Sequence, residues 1–229
     1  MLSKRRVSTE TNKKDFKMAV KFFDLNMGQL PTVVPLLVLP EIVLMPEGKF
    51  SIRLTDIKQI SMILWTLAHG RFVAILQKDK YGQFYQIGSA ARVSGFMEND
   101  DDSLTLYLTG VCRFCQKGLV KSGDYDMVQV DYKPFAFDFL PENTIDTKPL
   151  LDELALYLKK KRIDADMRLF EKFSTRRLIA TLVSILPFAL EEKQALLESG
   201  DAAKSVQTLL AILKMEAVDP FISRRGRKC

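Results

Sequence analysis

Apolar and polar residues alternate along this chain with two different periods, and the period changes once. From about residue 30 to 140 the segments RFVAILQ (71–77), FYQIGSAARVSGF (84–96), SLTLYLTGVCRFCQ (103–116) and DMVQVDYKPF (126–135) are rich in Val, Ile, Phe, Tyr and Thr. Gly and Asp clusters separate them, which is the pattern of half-buried strands. NDDDS (99–103) reads as a hairpin turn between two of these strands. One helix interrupts the strands, TDIKQISMILWTLAHG (55–70). Asp56 suits its N-cap and Gly70 its C′ position, and Ile57, Ile60, Leu64 and Leu67 form the predicted core stripe.

From about residue 147 the period becomes helical. KPLLDELALYLKKKR, DADMRLFEKF, STRRLIATLVSIL, PFALEEKQALLESG and GDAAKSVQTLLAILKMEAV each read as a helix. Ser174 or Thr175 suits the cap of the third, and Pro187 the first turn of the fourth. Val206, Leu209, Leu210 and Leu213 form the stripe of the last. Strands first and helices after predict an α+β protein. The predicted parts are a basic, disordered tail (1–29), a β subdomain (30–140), a helical subdomain (141–218) and a second basic tail (219–229).

Charge narrows the choice of partner. The net charge of +6 is unevenly spread. Residues 1–21 hold seven Lys/Arg against two Asp/Glu, and 221–229 hold four against none. The stretch between them keeps 23 basic and 26 acidic residues, a net of −3. A folded nucleic-acid surface should carry its basic residues on the domain itself, so the tails support at most weak, salt-sensitive binding. The most apolar stretch (30–46) is cut by four prolines and predicts no membrane span. Three cysteines suit a reducing compartment rather than a disulfide scaffold. The expectation is a cytoplasmic protein.

The candidate chemistry is sparse. Cys112 and Cys115 form a C-x-x-C pair inside a predicted strand. There they point to opposite faces about 10 Å apart, beyond the reach of a disulfide. A zinc site needs about four ligands, and the chain offers only these two, Cys229 and the single histidine, His69. His69 ends the 55–69 helix, where capping is its expected role. No phosphate-binding loop, nucleophile elbow or dinucleotide fingerprint is present. Neither cofactor nor metal is expected, and no catalytic residue is assigned.

The order of segments resembles the N-terminal substrate-binding domain of the Lon proteases, a PUA-like fold, in the short bacterial form that carries this domain alone. Four stretches carry the resemblance: VVPLLVLPEIVLMPEGKFSI (33–52), FVAILQ (72–77), YQIGSAARVSGFMENDDDSLTLYLTGVCRF (85–114) and LPFALEEKQALLES (186–199). The matching positions include Pro35, Leu36, Pro40, Leu44, Pro46 and Gly48, then Gly88, Asp102, Leu108, Gly110, Arg113 and Phe114, then Pro187, Phe188 and Glu192. The family's E-P-R-Y corner is replaced by FSIRLTDIKQ (50–59), and its D-G turn by DDDS. The resemblance implies a PUA-like β pseudo-barrel followed by a helical bundle. It also implies a non-enzymatic module that binds unfolded or tagged polypeptides, with a protease or chaperone as further partner. In the full proteases, ATP hydrolysis and cleavage belong to later domains, and this chain ends near where they begin. An RNA-binding PUA-like module using the basic tails is the alternative.

A polypeptide binder needs exposed apolar surface or a free sheet edge. Met62, Trp65 and His69 make a second line on the 55–69 helix. With Met45 and Phe50 they form the predicted peptide-binding patch, since Met adapts its shape to varied ligands. The opposing reading packs Met62 and Trp65 beneath the helical subdomain, as an apolar stripe at helical spacing usually does.

Overall fold

The computed structural model describes residues 27–122, 125–142 and 144–218. Both basic tails and Cys229 lie outside the described residues, apart from a 3-10 turn at Met27–Gln29. The chain divides after Pro31, and the architecture below belongs to the part that follows.

Six strands form one mixed sheet: β1 (Val33–Leu37), β2 (Lys49–Leu54), β3 (Phe72–Ile75), β4 (Ile87–Glu98), β5 (Leu104–Ser122) and β6 (Tyr125–Asp131). Their order is β2-β5-β4-β3-β1-β6, and β6 pairs again with β5. That last pairing closes five strands into a barrel and leaves β2 outside it. Closure rests on the length of β5. Its first part pairs with β2, and its second part, from Cys115 to Ser122, pairs with β6. Among the described strands only β1 and β3 are parallel, and the connection between them contains β2 and helix α1 (Ile57–Ala68).

Helix α1 starts where its cap is. Asp56 accepts a hydrogen bond from the Lys58 amide at 2.8 Å, and Gly70 follows with φ of +97°, a conformation that favours glycine. Its buried face differs from the predicted stripe. Met62, Ile63 and Thr66 are buried, with Ile60 and Leu67 packed partly beside them. Ile57 is 78% exposed and Leu64 is also exposed. The apolar arc on this helix is wider than the buried one, so the 3.6-residue period gave two possible faces. The Thr66 hydroxyl removes its own penalty by donating to the Met62 carbonyl oxygen.

Among the described residues, a 3-10 helix (Lys133–Phe139) links the barrel to five helices. These are α2 (Lys148–Lys161), α3 (Met167–Phe170), α4 (Thr175–Ile185), α5 (Leu190–Glu198) and α6 (Ala202–Val218). Ser174 caps α4. Pro187 lies three residues before α5, outside its first turn; the Glu192 carboxylate closes that turn instead, accepting from the Ala189 amide at 2.7 Å.

Two apolar cores result. One fills the sheet side beneath α1 and holds Leu37, Leu54, Ile63, Val73, Val93 and Leu106. The other fills the helical part and holds Leu154, Tyr157, Leu178, Leu182, Leu197 and Leu209. The loop after β1 enters both. Leu39 and Leu44 are buried in the sheet core, whereas Val43 and Met45 are buried in the helical core. Each large side chain so buried contributes about 1.5–3 kcal/mol. Gln77 satisfies this loop's carbonyls, donating to Leu39 at 2.7 Å and also to Ile42.

Gly110 shows why the loop and β5 require glycine at that point. A Cβ there would lie 2.1 Å from the Met45 carbonyl oxygen, well inside any allowed contact.

Candidate functional site

The five residues of the predicted patch do not share one surface. Met45 is only 5% exposed and belongs to the helical core, while Met62 is 2% exposed and belongs to the sheet core. Phe50 is half-buried against the sheet core. Both methionine side chains are therefore packed in the interior, away from solvent.

Trp65 and His69 remain at the surface. One turn of α1 separates them, and their rings stack with centroids 4.0 Å apart and planes 9° apart. The backbone explains the stack. His69 is the C-cap, and its amide donates to the Thr66 carbonyl oxygen at 3.0 Å. Its ring Nδ1 lies 2.8 Å from the Trp65 carbonyl oxygen. A carbonyl can only accept, so Nδ1 carries the proton. Tyr125 at the start of β6 also approaches Trp65, to 5.8 Å with a 49° tilt. Trp65, 36% exposed, thus contacts two further aromatic rings, one from the end of its own helix and one from β6. Exposed Ile57 and Leu64 lie on the same helix. Sequence reasoning missed Tyr125, because no period connects β6 to α1.

The C-x-x-C pair behaves as a strand requires. Cys112 faces Ala90 and Cys115 faces Ile87 across the β4–β5 ladder, and both thiols are free. Burial pushes the Cys112 thiol well above its ordinary value, and the Asp138 charge adds to that. A buried thiol of this kind is inert as a nucleophile. Among the described residues no cluster of His, Cys, Asp or Glu could hold a metal ion.

Between the two residues of CRFC flanking it, Arg113 joins the barrel to the helices. Its Nη2 donates to Asp138 Oδ1 at 2.7 Å and its Nε to Oδ2 at 3.1 Å. Its Nη1 donates to the carbonyls of Leu197, at 3.1 Å, and Ser199, and Nη2 donates also to Gly200 at 2.9 Å. The guanidinium lies over the rings of Phe135 and Phe137, 4.7 and 5.0 Å from their centroids. Arg176 supports the same segment, donating to the carbonyls of Asp138 and Phe137 at 3.2 and 3.0 Å. A cavity of about 240 Å3 opens beside this junction, walled by Met45, Phe137, Leu140, Ile145 and Ile179. Arg113 lines it too, but all five guanidinium N–H groups already have acceptors, so it has none left to offer a ligand.

Residues 33–215 match the family model of the ATP-dependent protease La (LON) substrate-binding domain. Lon protease 2 of Myxococcus xanthus is 22% identical over 207 residues, which covers 82% of this chain and 24% of that protein. The chain therefore spans about a quarter of that relative's length. The Lon N-terminal domain protein from Xanthomonas campestris superposes with a TM-score of 0.59 at 20% identity, covering 79% of this chain and 98% of that one. The N-terminal domain of the Mycobacterium avium complex Lon protease gives 0.59 at 17% identity, covering 80% and 98%.

Proposed function

Because this chain belongs to the Lon substrate-binding domain family, we propose that it is a substrate-recognition module that binds unfolded or tagged polypeptides, without chemistry of its own, and passes them to a protease or chaperone. The surface we assign to clients is the aromatic cluster at α1 and the start of β6: Trp65, with His69 and Tyr125 as its supports.

The stacked Trp65 carries this reading. Aromatic residues dominate binding hot spots because they offer large contact area while losing little rotamer freedom. Trp65 goes further, since the His69 ring and Tyr125 hold its orientation before any client arrives. Pre-ordering of this kind lowers the entropy lost on binding. Ile57 and Leu64 extend the apolar surface for clients that lack a fixed structure. Met45 and Phe50 do not belong to the assigned surface, and neither does Met62.

Trp65 is the single tryptophan of the chain, so its fluorescence reports on this surface alone. The test is a titration with reduced, alkylated ribonuclease A, which is unfolded and free of tryptophan, against native ribonuclease as control. A shift in emission with the unfolded form only is expected, as is loss of binding in Trp65→Ala, followed by fluorescence anisotropy of labelled ribonuclease. Equal binding by wild type and Trp65→Ala would remove the assignment.

A further inference from the structure

We propose that the outer edge of β2 binds an extended, acidic segment of a polypeptide client as an added strand. This inference rests on the reading of the chain as a polypeptide binder but uses a different surface from Trp65.

The backbone pattern locates the edge. β2 pairs with β5 from Lys49↔Thr109 to Leu54↔Leu104 and is the terminal strand of the sheet order. Just before it, the Gly110 amide donates to the Gly48 carbonyl at 2.8 Å. That bond fixes the alternation of the antiparallel ladder. Phe50, Ile52 and Leu54 turn their N–H and C=O groups toward β5, and Lys49, Ser51 and Arg53 turn theirs away. These three residues are exposed, whereas Phe50 and Ile52 are half-buried and Leu54 is buried. Each of the three thus offers a donor and an acceptor at an edge that no other described strand pairs with. β4 also has an unpaired side in its far half, but a register shift between Val93 and Gly95 interrupts it, and bulges disrupt pairing. β2 runs through its whole length without one.

Charge selects the occupant. Lys49 and Arg53 flank Ser51 on the exposed face. If two copies paired antiparallel about Ser51, Lys49 of each would stand opposite the Arg53–Asp101 ion pair of the other, so neither lysine would gain a carboxylate of its own. Self-pairing therefore brings the edge no full charge complement. A strand with carboxylates on that face meets Lys49 favourably. Arg53 already pairs with Asp101 at the β4–β5 hairpin and donates to the Ser103 hydroxyl at 2.8 Å, which leaves Lys49 as the main contact for an incoming acid.

The test uses the full chain and a fluorescein-labelled eight-residue peptide alternating valine with glutamate, followed by anisotropy. Three comparisons accompany it: the lysine counterpart, the fully N-methylated glutamate peptide, and the Ser51→Pro variant. Proline at Ser51 removes an edge-facing N–H without touching the β5 ladder. Binding of the glutamate peptide is expected, with at least a tenfold loss in each comparison, and Lys49→Glu should reverse the charge preference. Full binding by the N-methylated peptide overturns strand addition whether or not Ser51→Pro folds. Equal binding of the glutamate and lysine peptides overturns the acidic client. Trp65→Ala separates the two surfaces, since it should abolish ribonuclease binding and leave the glutamate peptide bound. If ribonuclease fails to shift Trp65 emission while the peptide behaves as expected, only the α1 assignment falls.

Discussion

Arg113 on β5 and Asp138 in the 3-10 helix form a bidentate ion pair in which both side chains are almost wholly buried, at 5% and 4% exposure. The Asp138 carboxylate also accepts from the Arg113 amide at 2.9 Å. Removing one partner leaves the other charge buried and uncompensated, which costs about 3–5 kcal/mol. Asp138→Asn and Arg113→Met should each lower unfolding free energy by this order in urea denaturation. Arg113→Lys should not rescue it, because an ammonium cannot reproduce a planar fork. The loss should appear as a lower midpoint with an unchanged slope.

Met62 and Trp65 lie three residues apart on α1 and should respond in opposite ways. Met62→Ala opens a cavity beneath the helix and should cost about 2–5 kcal/mol, while leaving ribonuclease binding unchanged in the folded fraction. Trp65→Ala truncates a half-exposed ring and should cost only about 1 kcal/mol, while removing client binding. Thermal unfolding and anisotropy, read together, separate the two.

Gly110→Ala forces a methyl group against the Met45 carbonyl. The main chain of either β5 or the loop must move, with a penalty of about 1–3 kcal/mol. Faster hydrogen exchange at the Glu47 amide, which donates to the Gly110 carbonyl at 3.0 Å, is the expected signature.

Alkaline pH should destabilise the protein through Cys112. Its thiol ionises normally near 9.0 and burial raises that value in the folded state. Above about pH 9 the unfolded chain releases this proton while the folded chain keeps it. The unfolded state then binds fewer protons, so stability falls as pH rises, by at most about 1.4 kcal/mol per pH unit for one group. Tyr132, also raised by burial, adds a similar decline beginning near 10. Urea denaturation between pH 8 and 11 should show this fall, with a smaller slope in Cys112→Ala.

Local chemistry was legible in the sequence, and contacts between distant segments were not. Asp56, Ser174 and Gly70 marked helix ends because caps act within a few residues. The opposed faces of Cys112 and Cys115 followed from a period of two. The buried face of α1 did not follow, since Ile57 and Leu64 are as apolar as Ile60 and Leu67, and only the sheet beneath decides between them. Met45 and Met62 were ambiguous for the same reason. Arg113 stood inside a matched segment, yet its partner is 25 residues away and nothing in the spacing identifies Asp138. Tyr125 joins Trp65 only because β6 returns beside α1.

The loop after β1 has a mechanical consequence. Leu44 and Met45 are adjacent in the chain, yet each plugs a different core. Cutting the polypeptide near residue 141 would strip the helices of their Met45 plug and leave a void there. The two lobes should accordingly melt in a single step, and neither should survive as an isolated fragment.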